Sequence, residues 1–335
     1  MKRLFGKLED GRNVEAVTLR AGDLSATILT YGAILNDLRL RDVPYGLTLG
    51  SPEISAYDHG PMNYFGALVG PVANRIAKAR TVLDGETLHF EPNEGPTLLH
   101  SGEQGLHTEL WHIAALSESS VSLTLDLPDG KGGFPGNRTV TAQYSVTDHE
   151  DAPATLGLVI TATTDAPTLM NIANHSYWNL DGTPTTDGHW LQVHAEHYLP
   201  VDARMIPTEI TPVAETGFDL RAGRVLRSTD AQRYDHNFCL SKEDRKMKPA
   251  AVLRGTSGIE MQMETTAPGL QVFDAAPIGS GDMPGHRGVP EVGFCGVALE
   301  AQHWPDAPNH ATFPSIRLGP EDTYRQETRW QFLKP

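Results

Sequence analysis

Residues Ser120–Leu127 read Ser-Val-Ser-Leu-Thr-Leu-Asp-Leu, and this strict alternation of polar and apolar side chains decides the fold class. A period of two places every apolar side chain on one face of a β-strand. The same period returns in Thr139–Val146, in Leu156–Ile160 and in Ile259–Glu264. No segment shows a helical period of comparable strength, so the sequence predicts an all-β protein.

The distribution of strands and turns predicts the architecture. Many alternating strands lie at short spacing, and the 32 glycines and 24 prolines suit the turns between them. This pattern predicts one large antiparallel β-sandwich. No linker, low-complexity segment or repeat interrupts the chain, so residues 1–335 are expected to form a single domain. A short helix is expected at Ser51–Asp58, with Ser51 as its cap and Pro52 in its first position.

Charge and hydropathy exclude several classes of partner. The formal net charge of −15 argues against nucleic acid and anionic membranes, because both need a basic surface. The N-terminal Met1–Lys7 has no long apolar segment after its basic residues, so no signal peptide is expected. No stretch approaches the roughly 18 consecutive apolar residues of a membrane helix. The sequence therefore predicts a soluble, cytoplasmic protein.

Neither the cysteines nor the histidine-rich segment indicates a metal site. Cys239 and Cys295 are far apart, without disulfide or zinc spacing, and both are expected to fill small apolar spaces within strands. The segment His194-Ala195-Glu196-His197 carries three possible ligands. Strand alternation would place His194 and Glu196 on one face and His197 on the other, which favours a polar outer strand over a metal site. We therefore expect no bound metal.

The stretch Asn171–Leu180 reads Asn-Ile-Ala-Asn-His-Ser-Tyr-Trp-Asn-Leu and carries the first candidate site residue, His175. Its length and aromatic content are typical of a strand. Buried polar groups need partners, so this many amide and imidazole groups beside aromatic rings suit a strand that lines a polar cleft. Such a cleft fits a ligand with apolar faces and many hydroxyls, as in a sugar. The alternative is a core histidine satisfied by the neighbouring asparagines.

Two further segments present polar residues within apolar or small surroundings. The run Tyr64–Ala77 is apolar and glycine-rich until Asn74 and Arg75. Arg75 forms either a structural salt bridge or a bidentate donor aimed at ligand oxygens. His100 follows an apolar step and stands beside small residues, which leaves room for a ligand to approach.

The C-terminal half supplies two acidic candidates. Asp235 lies in Tyr234–Phe238, where polar groups stand between aromatic residues, so this segment is a plausible second wall of the same cleft. Glu300 lies in the strand-like run Gly296–Asp306 between an alanine and a leucine. Desolvation by such neighbours raises the pKa of a carboxyl toward neutrality, which suits a general base. The alternative is a glutamate on a solvent-facing strand.

Taken together, these segments resemble the aldose 1-epimerases, also called galactose mutarotases. The resemblance covers nearly the whole chain in order, and each segment carries the polar residue that the family motif has. The five matching segments are Asn74–Ile76, Leu99–Gly102, Asn174–Leu180, Asp235–Phe238, and Leu299–Gln302 with Pro305, Asp306 and Asn309.

The resemblance implies a galactose mutarotase-like supersandwich that binds a monosaccharide in an open cleft on one sheet. It implies Glu300 as general base and His175 as general acid in the interconversion of α and β anomers, with no cofactor and no required metal. Four residues would bind the sugar: Arg75, its neighbour Asn74, His100 and Asp235. The oligomeric state, monomer or homodimer, stays open. Four departures from the family pattern leave the preferred sugar open: Ser101, Trp178, Glu209 and Asp274.

Two rival functions share this fold. A hexose-6-phosphate 1-epimerase should carry a basic cluster near the site, and a non-catalytic sugar-binding protein should lack the glutamate or the histidine. Among the matching segments only Arg75 is a fixed cation, so the sequence predicts a neutral aldose such as glucose or galactose. Four basic residues outside these segments could overturn this expectation by reaching the cleft: Arg233, Lys242, Arg254 and Arg287.

Overall fold

The protein is all-β, as the sequence predicts. The structure, a computed structural model, describes residues 1–150, 152–243 and 245–335. These residues form 27 strands and six 3₁₀ helices of three residues each, and they contain no α-helix. No helix in this described part of the chain has the length and apolar character that crossing a membrane requires.

The strands are numbered β1 to β27 along the chain. The first nine are β1 (Lys2–Lys7), β2 (Asn13–Ala21), β3 (Leu24–Leu29), β4 (Leu35–Leu40), β5 (Leu68–Val69), β6 (Arg75–Ile76), β7 (Arg80–Leu83), β8 (Glu86–His89) and β9 (Leu98–Leu99). The next nine are β10 (His112–Leu116), β11 (Ser120–Leu127), β12 (Arg138–His149), β13 (Ala152–Thr164), β14 (Thr168–Leu169), β15 (Ala173–Asn174), β16 (Tyr177–Trp178), β17 (Trp190–Val193) and β18 (His197–Tyr198). The last nine are β19 (Thr211–Pro212), β20 (Arg224–Val225), β21 (Asp235–Cys239), β22 (Lys248–Arg254), β23 (Glu260–Thr265), β24 (Gly269–Phe273), β25 (Val297–Gln302), β26 (Arg317–Leu318) and β27 (Tyr324–Leu333). The 3₁₀ helices are Ile54–Ala56, Ala77–Ala79, Gly102–Gln104, Leu106–Thr108, Lys131–Gly133 and Ala307–Asn309.

Three large sheets and four small ribbons make up the fold. The large sheets have the strand orders β1-β2-β3-β4, β10-β11-β12-β13-β27-β23-β22-β17-β20 and β16-β25-β24-β21-β18-β19. The ribbons pair β5 with β15, β6 with β9, β7 with β8, and β14 with β26. Every pair of these strands is antiparallel.

The alternating segments form the centre of the nine-stranded sheet. In β11, β12 and β13 the register aligns Val121 with Tyr144 and Tyr144 with Leu158. All three side chains are buried, because residues directly opposite each other on neighbouring strands share one face of the sheet. The period of two in the sequence therefore becomes one continuous apolar face.

This apolar face packs against the other two large sheets to make a sandwich. The main core cluster takes side chains from the four-stranded sheet, such as Leu38, and from the six-stranded sheet, such as Leu299. The Trp178 ring of β16 lies 5.7 Å from the Trp330 ring of β27. Burying a leucine-sized side chain contributes about 1.5–3 kcal/mol relative to exposure, so this shared core holds the layers together. It also covers only one face of the six-stranded sheet.

The helix expected at Ser51–Asp58 is wrong except for one short turn. The structure has a 3₁₀ helix only at Ile54–Ala56, preceded by Glu53 in extended conformation. The Ser51 hydroxyl donates a hydrogen bond of 2.8 Å to the carbonyl of Pro284. Its Oγ also accepts a hydrogen bond of 3.2 Å from the Glu53 N–H, but the helical turn begins only at Ile54, so Ser51 does not cap it.

Two other expected strands are also shorter or absent. Asn171–Leu180 contains only the two-residue strands β15 and β16, which belong to different sheets. Residues 194–196 form the connection between β17 and β18, so strand alternation does not apply to His194 and Glu196. Both cysteines are buried and free, but Cys295 lies just before β25 rather than within a strand.

Candidate active site

The face of the six-stranded sheet opposite the main core places four polar side chains together. Neighbouring strands align Asn237 with Gln271 and Gln271 with Glu300, and the period of two puts Asp235 on the same face as Asn237. Gln271 Nε2 donates a hydrogen bond of 2.6 Å to Asp235 Oδ1. The intervening residues, including Leu299, point into the main core. Three central strands therefore fix the positions of Asp235, Gln271 and Glu300.

Glu300 is a buried carboxyl with a perturbed pKa. Its exposure is only 2%, and its Oε1 lies 3.6 Å from His175 Nε2. Its Oε2 has no hydrogen-bond partner among the described residues. Burial raises the pKa of this carboxyl well above its usual value, and the negative charge of Asp235 raises it further, whereas the Arg75 charge acts in the opposite direction. The solvent-facing alternative for Glu300 is therefore wrong.

His175 faces Glu300 from the connection between β15 and β16. Its backbone is fixed on both sides, because its N–H donates to the Ala67 carbonyl at 2.9 Å and its carbonyl accepts from Gly66 at 3.0 Å. Its ring stacks on Tyr64, with centroids 5.9 Å apart and an interplanar angle of 20°. Burial lowers the pKa of His175. The environment therefore disfavours the charged form of both members of the pair.

His100 is held as a neutral hydrogen-bond donor. Its Nδ1 accepts a hydrogen bond of 3.1 Å from the Asn74 N–H, so the proton of the neutral ring lies on Nε2. Burial lowers the pKa of His100 well below its usual value, with smaller contributions from His175 and Arg75. The ring lies 5.2 Å from that of His175, centroid to centroid.

Arg75 takes part in a bidentate salt bridge. Its Nε and Nη2 donate to the two carboxylate oxygens of Glu94 at 2.6 Å and 2.9 Å. Its positive charge opposes the raised pKa values of Asp235 and Glu300, so the guanidinium also acts on these two carboxyls. Arg75 therefore forms the structural salt bridge that was one of its two expected roles, and only its Nη1 takes no part in that salt bridge.

The asparagines of the site region mainly support the backbone. Asn74 Oδ1 accepts from the Arg75 N–H at 3.0 Å, which leaves its Nδ2 for a ligand. Asn171 bonds to the backbone of His303, and Asn174 and Asn179 donate to backbone carbonyls. The satisfied-core alternative therefore describes these three neighbours of His175, while His175 itself faces Glu300.

Two departures from the family motifs point away from the cleft. The Ser101 hydroxyl accepts from the Val72 N–H at 2.9 Å and donates to the Val72 carbonyl at 3.1 Å. Trp178 is fully buried and packs against Trp330 in the main core. Neither side chain is placed to select a sugar by direct contact.

The other two departures from the family motifs are Asp274, which binds backbone groups, and Glu209, which is exposed. Asp274 accepts hydrogen bonds from the backbone N–H groups of Tyr234 and Ala276, at 3.0 Å and 3.1 Å. It therefore fastens the chain that follows β24 to the start of β21. Glu209 is exposed.

The four additional basic residues engage other partners or solvent. Arg233 donates to the Ser228 carbonyl and lies over the Phe294 ring. Arg254 forms a salt bridge with Glu260, and Arg287 forms one with Glu291. Lys242 is exposed.

One group of side chains in the site has the donor types of a metal centre. Within the described part of the chain, ligand atoms of His100, His175 and Glu300 all lie within 4.8 Å of one another. Two imidazoles and a carboxylate suit zinc, whose bonds of about 2.1 Å place tetrahedral ligand atoms about 3.4 Å apart. The same three groups suit proton transfer and hydroxyl binding, so the expectation of no required metal stays a prediction.

Three residues of the site were missed in the sequence, and one of them is Tyr64, whose ring stacks on His175. Gln271 has a local signal, because it is the only polar residue in the strand Gly269–Phe273. Glu94 has none, since its turn looks like any exposed Glu-Gly-Pro loop, and its partner Arg75 becomes apparent only in three dimensions.

Comparisons with known proteins agree with this geometry. The family model described as aldose 1-epimerase matches residues 15–331. The galactose mutarotase of Rattus norvegicus is 36% identical, covering 99% of this chain and 98% of that protein. The aldose 1-epimerase of Escherichia coli (strain K12) is 35% identical, with coverage of 97% and 96%. Two solved structures are also similar. An aldose epimerase homologue from C. elegans has a TM-score of 0.87 and 29% identity, covering 95% of this chain and 98% of that chain. A galactose 1-epimerase from Lactobacillus acidophilus has a TM-score of 0.82 and 25% identity, covering 99% of this chain and 98% of that chain. A family match along almost the whole sequence, together with relatives of similar length, means that the chain belongs to the aldose 1-epimerase family.

Proposed function

We propose that the protein interconverts the α and β anomers of a neutral aldose such as glucose or galactose. Membership of the aldose 1-epimerase family supports this isomerase activity. The observation that carries the proposal is the buried pair of His175 Nε2 and Glu300 Oε1, 3.6 Å apart on the polar face of the six-stranded sheet. A base and an acid placed together are what opening a hemiacetal requires.

In the proposed mechanism, Glu300 removes the proton of the C1 hydroxyl while His175 protonates the ring oxygen. The bond between C1 and the ring oxygen breaks, and an open-chain aldehyde forms. Rotation about the C1–C2 bond presents the other face of the aldehyde, and the ring closes with the two residues exchanging roles. The reaction needs no covalent intermediate and returns both protons to their starting positions.

The mechanism requires one proton on the pair, with Glu300 ionised and His175 protonated. Burial acts against both charged forms, because it raises the pKa of Glu300 and lowers that of His175. Activity should fall in acid, where a second proton removes the base, and in alkali, where loss of the last proton removes the acid. The apparent pKa values of these two falls in activity are properties of the coupled pair rather than of either residue alone.

The surrounding groups supply donors and acceptors for the hydroxyls of a sugar. His100 Nε2 is a donor, and Gln271 Oε1 has no hydrogen-bond partner in the described ranges. Asp235 adds a carboxylate, and the Tyr64 ring offers an aromatic face for C–H groups. We propose that these residues, with Arg75, hold the sugar while the acid–base pair acts.

The two rival functions have less support. For a hexose-6-phosphate 1-epimerase the described site lacks a basic cluster, because Glu94 holds Arg75, the three other arginines lie against other groups, and Lys242 is exposed. A non-catalytic sugar-binding protein would not need both His175 and Glu300. Both are present and face each other.

A panel of freshly dissolved α-aldoses followed by polarimetry tests the proposal. We expect the protein to accelerate mutarotation of glucose or galactose above the buffer rate, with a higher kcat/KM than for glucose 6-phosphate. Rates equal to buffer for the whole panel would contradict the enzyme proposal. A clear preference for the phosphorylated sugar would move the protein to the rival class.

A chelation experiment tests the prediction that no metal is required. Activity should survive dialysis against EDTA, because the proposed mechanism uses His175 and Glu300 as proton carriers rather than as ligands. Metal content before and after dialysis is measured by mass spectrometry. Activity that disappears with the chelator and returns with one specific ion would show that His100, His175 and Glu300 hold a required metal.

We also propose that the protein works in the cytoplasm. Two free, buried cysteines suit a reducing compartment, where disulfides are rare.

A further inference from the structure

The salt bridge between Arg75 and Glu94 lies at the boundary between the buried site and solvent. The Arg75 side chain is 9% exposed, whereas the Glu94 side chain is 41% exposed. The carboxylate occupies Nε and Nη2 of the guanidinium in a parallel, bidentate arrangement. This geometry is the one that an arginine uses to hold the carboxylate or phosphate of a ligand. Glu94 therefore occupies the position that an anionic ligand group would take on Arg75.

A braced turn sets Glu94 beside Arg75. Glu94 and Thr97 exchange two backbone hydrogen bonds of 3.1 Å and 3.0 Å. The Asn93 side chain accepts from the Leu99 N–H at 2.7 Å and donates to the Leu99 carbonyl at 3.0 Å. Leu99 lies in β9 and pairs directly with Arg75 in β6. These hydrogen bonds hold the backbone of the turn that carries Glu94 beside β6, independently of the ion pair itself.

The charges around the cleft give this placement a consequence for ligand choice. Without Glu94, Arg75 would present two free N–H groups and a full positive charge beside the acid–base pair. Such a group attracts anions, and the attraction is stronger where the surroundings are partly buried. With Glu94 in place, the ion pair has no net charge, and the described site also contains the carboxyls of Asp235 and Glu300.

We propose that Glu94 determines specificity by masking Arg75, so that the site rejects aldoses that carry a carboxylate or a phosphate. The inference rests on the proposed function. Neutral sugars lose little by this masking, because Nη1 of Arg75 is not part of the salt bridge and can still donate to a hydroxyl. Anionic sugars meet an arginine whose Nε and Nη2 are already occupied, together with the negative charge of Glu94.

Binding measurements on Glu94→Gln test the proposal. Dissociation constants are measured by calorimetry for galactose and galacturonate, and for glucose and glucose 6-phosphate, which separates carboxylate from phosphate. The ratio of anionic to neutral affinity should rise about tenfold for at least one pair, the effect of one unit charge acting over several ångströms at a partly exposed site. Glu94→Ala, which frees both nitrogens, should give at least as large a rise.

The matched control is Glu91→Gln, which removes the same charge from an exposed residue of the same loop. Its affinity ratio should equal that of the unmodified protein. An unchanged ratio in folded Glu94→Gln, or an equal rise in Glu91→Gln, would overturn the proposal. Binding does not require turnover, so an unmodified protein that binds no neutral sugar would instead contradict the proposed function.

Discussion

Glu300→Gln should lower kcat by about 10²-fold or more, which is the scale of general acid–base catalysis. Glutamine has the size of glutamate and keeps its hydrogen-bonding capacity, but it does not accept the proton of the C1 hydroxyl. The fold should survive the change. Burial and Asp235 raise the pKa of Glu300, which means that the folded protein disfavours the ionised carboxyl, and a neutral side chain removes this cost.

The comparison needs both rate and stability. Mutarotation of a single anomer is followed by polarimetry, and thermal unfolding is recorded for each variant. Glu264→Gln is the control, because it removes the same charge from β23 of the nine-stranded sheet, outside the site. Near-normal turnover in folded Glu300→Gln would remove Glu300 from the role of base.

The parts of the fold that local sequence predicts are those with a strong period. In β11, β12 and β13 the alternation is long, and one face is buried, so a shift by one residue would expose the whole apolar set. Glu300 was identifiable for a related reason, because a glutamate between apolar residues in a strand is desolvated wherever that strand is buried. Both inferences depend only on neighbours in the chain.

The features of the fold and site that the sequence does not predict depend on contacts between segments far apart in the chain. The asparagines around His175 look like a continuous polar strand in sequence, but they bond to backbone groups far along the chain, such as that of His303. Ser51 has the residue type of a helix cap, yet its hydroxyl donates to the distant Pro284 carbonyl and the helical turn begins only at Ile54. The masking of Arg75 by Glu94 likewise requires the turn before β9 to fold back on β6. That residues 1–335 form one domain stays a prediction.

His175→Asn should also lower kcat by about 10²-fold or more. Asparagine fills much of the same space and can place an N–H group near the ring oxygen of the sugar, but an amide does not transfer its proton at accessible pH. Sugar affinity should change little, because the proposed binding groups lie on other segments. His112→Asn, at an exposed position of the edge strand β10, is the matched control.

The pH profile distinguishes loss of the acid from a distorted site. In the unmodified protein, activity should fall in alkali when the pair of His175 and Glu300 loses its single proton. In His175→Asn the residual reaction requires only that Glu300 be ionised. Burial raises the pKa of Glu300, so the residual rate should increase with pH through that raised value and then remain level. If the alkaline fall persists in the variant, a group other than His175 supplies the proton, and His175 loses the role of general acid.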